Sequence, residues 1–175
     1  AGPDPIAAGD LPHHPVQEML EGRGAPDVPR TSSEHAGVDD CTRCHREGHR
    51  FTVQQRACNG CHAGAIQLEE ARAEIAGRLE AIRAGLDGAA PSAGSDAAAA
   101  YDLAVTLYTF VESDGSEGIH NPAYTEALLA RAEDLLGDVE AAAPAATPAA
   151  LPTTGGAPAS ALVLAGAALL MAAGI

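Results

Sequence analysis

Two pentapeptides, Cys41-Thr-Arg-Cys-His45 and Cys58-Asn-Gly-Cys-His62, constrain this chain more than any other feature. They use all four cysteines and leave none for a disulfide. In C-x-x-C-H the two thiols can form thioethers to the vinyl groups of one porphyrin, and the adjacent histidine binds its iron from one side. The spacing lets both sulfurs reach the same macrocycle while the imidazole comes up beneath it. A structural zinc site is the competing reading, because the cysteine spacing also resembles a zinc ribbon. A zinc ribbon gives no reason for a histidine directly after each second cysteine. The motifs therefore read as attachment points for two covalent c-type haems, with Cys41, Cys44, Cys58 and Cys61 as thioether donors and His45 and His62 as proximal iron ligands.

At 175 residues the chain allows one modest domain with appendages. Two phenylalanines, three tyrosines and no tryptophan are thin material for a core, so covalent haems are expected to supply apolar surface. The fold class expected is mainly α with large irregular content: a haem-cored domain of about three helices, plus a C-terminal hydrophobic helix. Formal charge is −14, and every one of the ten basic residues is arginine. Nucleic acid and anionic lipid headgroups both reward basic surface, which excludes them as partners. A basic redox partner and simple solubility are both compatible with this acidity.

The chain opens on Ala1, as expected of a secreted protein after signal-peptide removal, and thioether attachment of haem takes place outside the cytoplasmic membrane. Leu151-Pro-Thr-Thr-Gly155 matches the L-P-x-T-G cell-wall sorting signal, and an apolar stretch from Ala157 to Ile175 follows. As a helix that stretch spans about 28 Å, close to one hydrocarbon core. No basic tail follows it, and from Ala141 onward there is no charged residue. Sorting to the wall and retention as a membrane anchor both stay open, and both tether the protein outside the membrane.

Residues 1–34 carry Pro3, Pro5, Pro12, Pro15, Pro26 and Pro29, which predict an extended arm with at most a short turn around Val16 to Leu20. Residues 35–140 form the dihaem domain, beginning with a haem-binding segment over 35–65 of weak regular pattern. Leu68, Ile75, Leu79, Ile82 and Leu86 make one stripe of a helix that Gly85, Gly88 and Pro91 end. A second helix is capped by Ser95 or Asp96 and runs through Tyr101, Val105, Tyr108 and Val111 until Asp114-Gly-Ser-Glu-Gly118 breaks it. A third starts at Asn121-Pro122 and runs past Leu128, Leu135 and Val139. An Ala/Pro linker occupies 141–150, the sorting-type motif 151–155, and the hydrophobic anchor helix 157–175.

Two six-coordinate irons need two further ligands. His13, His14, His35, His49 and His120 remain, while the methionines are Met19, in the proline-rich arm, and Met171, in the anchor. Bis-histidine ligation, with its lower potential, is therefore expected over methionine. Arg43, Arg46, Arg50 and Arg56 are candidates to neutralise haem propionates.

Several segments resemble multihaem cytochromes c. His35 precedes Cys41 in an H-x5-C-x-x-C-H arrangement, and Gly48-His-Arg-Phe51 resembles the G-H-x-F element that leads into another haem motif there. Asp114-Gly-Ser-Glu-Gly-Ile-His-Asn-Pro-Ala-Tyr124 resembles the D-G-S-x-G-x-H-N-P-x-Y segment of the superfamily that includes the ammonia-forming cytochrome c nitrite reductases and the hydroxylamine oxidoreductase relatives. The resemblance covers roughly residues 35–140 and implies that His120 is a distal haem ligand, with His35 and His49 as further candidates. Three candidates for two irons leave one to touch a propionate, stay in solvent, or reach a neighbouring subunit's haem; His13 and His14 could also play that last part.

The function expected is electron transfer at the cell surface, with redox proteins or identical subunits as partners and polymerisation into a haem chain permitted. A membrane-anchored subunit of a larger respiratory or photosynthetic complex is the alternative. A reductase is disfavoured: the nitrite reductases use lysine at the active-site haem, this chain has no lysine, and it has fewer haem motifs than they do.

Overall fold

A computed structural model describes residues 15–37, 41–45 and 53–143. The linker from residue 144 onward, the sorting-type motif, the apolar C-terminal stretch, His13, His14, His49, Arg46 and Arg50 lie outside the described residues, while the linker's first residues, Ala141 and Ala142, belong to the last helix. Among the described residues the chain is helical, without a strand: α1 Val16–Glu21, single 3-10 turns at Glu34–Gly37 and Cys41–Arg43, α2 Gln55–His62, α3 Leu68–Gly88, α4 Asp96–Asp114 and α5 Pro122–Ala142. Among these residues no helix is long and apolar enough to cross a membrane.

The three long helices are those that periodicity predicts. Ser95 caps α4 by accepting from the Ala98 amide, and the alanines from 97 to 100 give its first turn high helix propensity. At its other end Gly115 takes the left-handed conformation, φ 69°, and its amide bonds the Glu112 carbonyl. Gly85, expected to help end α3, lies inside it instead. A Cβ there would come within 3.1 Å of Leu136 Cδ1, so the missing side chain makes room for α5.

Helices α3, α4 and α5 bury Ile82, Leu86, Leu107, Phe110, Val111, Leu128, Leu129 and Leu135 in one cluster. Each such side chain contributes about 1.5–3 kcal/mol relative to exposure. Phe110 and Tyr124 meet edge to face, centroids 6.3 Å apart. This cluster is largely built from aliphatic side chains on facing helices. Arginines of α3 lace the exterior: Arg78 forks onto Glu133 at 2.8 Å, Arg83 pairs with Glu112, and Arg72 pairs with Glu117. Hydrogen bonds to Glu133 and Glu117 push the Arg78 and Arg72 guanidinium groups above their ordinary range.

The proline-rich segment is not a free arm over its described part. Residues 16 to 25 contain no proline, and there the chain turns into α1, whose Met19 is fully buried in the helical core. Its sulfur accepts from the Thr125 hydroxyl at 3.5 Å. Gly22 ends α1 at φ 57°, with the Thr31 backbone so close that no Cβ fits. Asn121, also buried, joins this segment to α5. Its Oδ1 accepts from the Tyr124 amide at 3.1 Å, and its Nδ2 donates to the carbonyls of Met19 at 2.8 Å and Thr31 at 2.6 Å.

Replacing Asn121 by alanine removes the cap and takes a donor from two carbonyls, of which that of Met19 keeps the Gly22 amide. The expected loss is about 2–4 kcal/mol, read as a lower denaturant midpoint of the haem-loaded protein.

Candidate metal centre

Each C-x-x-C-H motif lies on a single helical turn. In the first, the His45 amide bonds the Cys41 carbonyl at 2.9 Å, following the 3-10 turn Cys41–Arg43. In the second, Cys58, Cys61 and His62 sit in the last turns of α2. A turn of helix brings residues i, i+3 and i+4 to one face, so each motif offers two thiols and an imidazole on the same side. Cys41, Cys44 and Cys61 are exposed and Cys58 is half-buried, none of them in a disulfide.

The ordered helix α2 was not evident in the sequence, where its Cys, Asn and Gly residues have poor helix propensity and no apolar stripe. Gln55 accounts for its position. Its amide nitrogen bonds Asn59 Oδ1 at 2.9 Å and the Ile66 carbonyl at 2.7 Å, and its oxygen accepts from the Leu68 amide at 2.8 Å. One side chain thereby holds α2 against the start of α3.

The two proximal histidines each face one of the predicted distal candidates. The His45 and His120 rings stand 6.2 Å apart between centroids, tilted by 58°, and the His62 and His35 rings stand 6.1 Å apart at 86°. Two imidazoles on opposite sides of one iron each take a metal–nitrogen bond of about 2 Å with the ring centre about 1 Å beyond, so their centroids stand roughly 6 Å apart. Both pairs have that width. His45 Nδ1 is buried without a hydrogen-bond partner among the described residues. Among the described residues, no three His, Cys, Asp or Glu side chains converge as a metal-ion site.

Both distal candidates keep Nδ1 engaged and Nε2 available. His35 Nδ1 bonds the Ile119 carbonyl at 2.8 Å, and His120 Nδ1 bonds Asp114 Oδ1 at 2.8 Å. This is the arrangement by which a second hydrogen bond fixes the tautomer and aim of a metal-binding histidine. The residues present therefore fit two bis-imidazole centres.

Two partners of these histidines have no role that the sequence pattern assigns. Ser33, buried, donates its hydroxyl to the His120 carbonyl at 2.5 Å and accepts from the His35 amide at 3.0 Å. Asp114, whose side chain has no exposed surface, accepts from His120 through one oxygen and from the Ser116 hydroxyl through the other. Ser116 Oγ in turn accepts from the His120 amide at 3.1 Å. The resemblance to a known segment marks Asp114 and Ser116; nothing marks Ser33, whose contact with His120 spans 87 residues.

Gly118, at φ 85°, sets the backbone just before His120, and a Cβ there would meet Ile75 Cγ1 at 3.0 Å and Thr125 Cγ2 at 3.3 Å. Gly115 shares the positive φ but faces open space. Gly118→Ala should cost about 2–3 kcal/mol and Gly115→Ala about 1 kcal/mol, since the first adds crowding to the left-handed penalty. Unfolding midpoints of the two haem-loaded variants check the order.

No protein-family model and no curated protein matches the chain. Among solved structures, the crystal structure of the outer cell wall cytochrome OcwA matches with a TM-score of 0.59 and 32% sequence identity. The match covers 75% of this chain and 32% of that one, so the chain spans about a third of the length of the cytochrome it resembles. In fold and in sequence, this helical chain with two C-x-x-C-H turns is similar to a cytochrome.

Proposed function

We propose that this chain is an extracytoplasmic dihaem c-type cytochrome domain that carries electrons between redox proteins at the cell surface. The observation that carries the reading is the pair of facing imidazoles at each motif, His45 with His120 and His62 with His35. When bound, the haem groups supply reversible one-electron chemistry of iron. Cys41 and Cys44, and Cys58 and Cys61, would hold them covalently, with His45 and His62 as the proximal ligands and His120 and His35 as the distal ones.

Histidines on both sides of each iron would leave no coordination position for a substrate, which supports a carrier over a reductase. Each distal ligand comes from the same chain, so the reading does not need a histidine from a neighbouring subunit, and His49, His13 and His14 are left for other roles. The cell-surface location is supported by the L-P-T-T-G motif with its apolar stretch and by the likeness to a protein described as an outer cell wall cytochrome. The apolar stretch equally suits an anchored subunit of a larger complex, which an intact mature carboxyl terminus at Ile175 would favour over one at Thr154.

Optical spectra of the haem-loaded protein, ferric and reduced, should have low-spin bands unmoved by carbon monoxide. His120→Ala and His35→Ala should each make half of the haem bind carbon monoxide. A shift already present in the unaltered protein would overturn the carrier reading. The two centres should also differ in electron paramagnetic resonance. The 86° crossing of His62 and His35 leaves the two iron dπ orbitals nearly equal in energy, so that centre should give the more anisotropic low-spin signal.

A further inference from the structure

The two distal histidines differ in what receives their second ring proton. A neutral imidazole that binds metal through Nε2 carries its proton on Nδ1, so Nδ1 donates. His35 donates to a neutral acceptor, the Ile119 backbone carbonyl. His120 donates to the carboxylate of Asp114. The Asp114 side chain is wholly buried, and it sits in the last turn of α4, where the helix dipole disfavours a negative charge. Its ion-pair partner among the described residues is His120, and its second oxygen is held by the Ser116 hydroxyl. A buried acid in that position is costly to folding unless its partners compensate.

Resting on the bis-imidazole reading above, we infer that Asp114 is a positioning residue that makes the His45–His120 centre harder to reduce than the His62–His35 centre. A carboxylate accepting from Nδ1 raises the electron donation of the imidazole to iron, as outer-shell carboxylates do at other metal sites. Its negative charge, screened little by solvent, further favours the more positive oxidised iron. The backbone carbonyl at His35 does neither to the same degree. What Asp114 biases is a one-electron exchange without proton transfer or bond change. With haems bound, the exchange would oxidise one iron as it reduced the other, with electrons supplied and removed by redox partner proteins. The bias would favour an electron residing at the His62–His35 centre, on the side of α2.

Asp114→Asn keeps the shape and an acceptor oxygen while removing the charge. In a potentiometric titration of the haem-loaded full chain, followed optically, the unaltered protein should give two one-electron waves. Asp114→Asn should raise the lower wave about tenfold in its reduction equilibrium, or about 59 mV, and leave the upper one in place. His120→Ala and His35→Ala, scored by carbon monoxide binding, assign each wave to its centre. Ser116→Ala, which frees the carboxylate for His120 alone, should move the same wave the other way by a smaller factor. It keeps the question decidable if Asp114→Asn does not load haem. Glu69→Gln, which removes an exposed charge, should move neither wave.

Waves that stay in place in Asp114→Asn, a shift of the upper wave, or equal shifts of both would overturn the inference. So would a shift in Glu69→Gln as large as in Asp114→Asn. If the two ligand variants open no iron to carbon monoxide, the bis-imidazole reading itself fails. If they do and the lower wave ignores Asp114, the inference alone fails.

Discussion

The Ser33 hydroxyl, between the His120 carbonyl and the His35 amide, is the contact on which the geometry of the site depends. His35 adds a second link by bonding the carbonyl of Ile119, the residue before His120. The two distal candidates, far apart in sequence, are therefore tied at adjacent backbone positions. Neither can be displaced without pulling on the other. Such bonds are worth only about 1 kcal/mol each in net stability, but a buried partner left unsatisfied costs more, and that asymmetry gives the tie its stiffness. The rest of the molecule maintains it: Asn121 binds the segment after α1 to the start of α5, and Met19 anchors α1 in the core.

The segment from Asp114 to Tyr124 can be read residue by residue as a solution to one problem, ending one helix and starting the next with an imidazole aimed between them. Gly115 ends α4 in the left-handed conformation, and Gly118 passes close to Ile75 and Thr125. Ser116 and Asp114 hold the backbone and ring of His120. Asn121 caps α5, Pro122 fills its first position, and the Tyr124 hydroxyl accepts from the Ala25 amide at 3.0 Å. Catalytic and electron-transfer sites share the requirement that a ligand be held before the metal arrives, since ordering it afterwards would cost affinity. The helical core would fulfil it by carrying the candidate ligand His120 on the junction between α4 and α5.

The long helices were legible because amphipathic periodicity and capping are local: Ser95, Asn121-Pro122 and the Leu68–Leu86 stripe each state their part within a few residues. Helix α2 was not legible, since Gln55 stabilises it from outside its own pattern. The packing of Met19 was hidden by the prolines that flank α1, which mark where helix is forbidden and not what lies between them.

By itself the sequence determined the chemistry. Thioether and proximal donors must be neighbours on one turn of chain to reach one macrocycle, so the two pentapeptides point to a haem c cofactor, with four cysteines expected to attach it and two histidines expected to ligate iron. The sequence also identified a pool of distal histidines, because only a few side chains can bind iron. Which member of the pool faces which motif was decided by tertiary structure alone. His45 meets His120, and His62 meets His35, through contacts whose partners are separated by long stretches of chain. The unequal second partners of those histidines, a buried carboxylate and a carbonyl, were likewise fixed only when α4, α5 and the segment before the first motif packed together. A hydrogen bond depends on distance and direction in space, and neither is encoded by spacing along the chain.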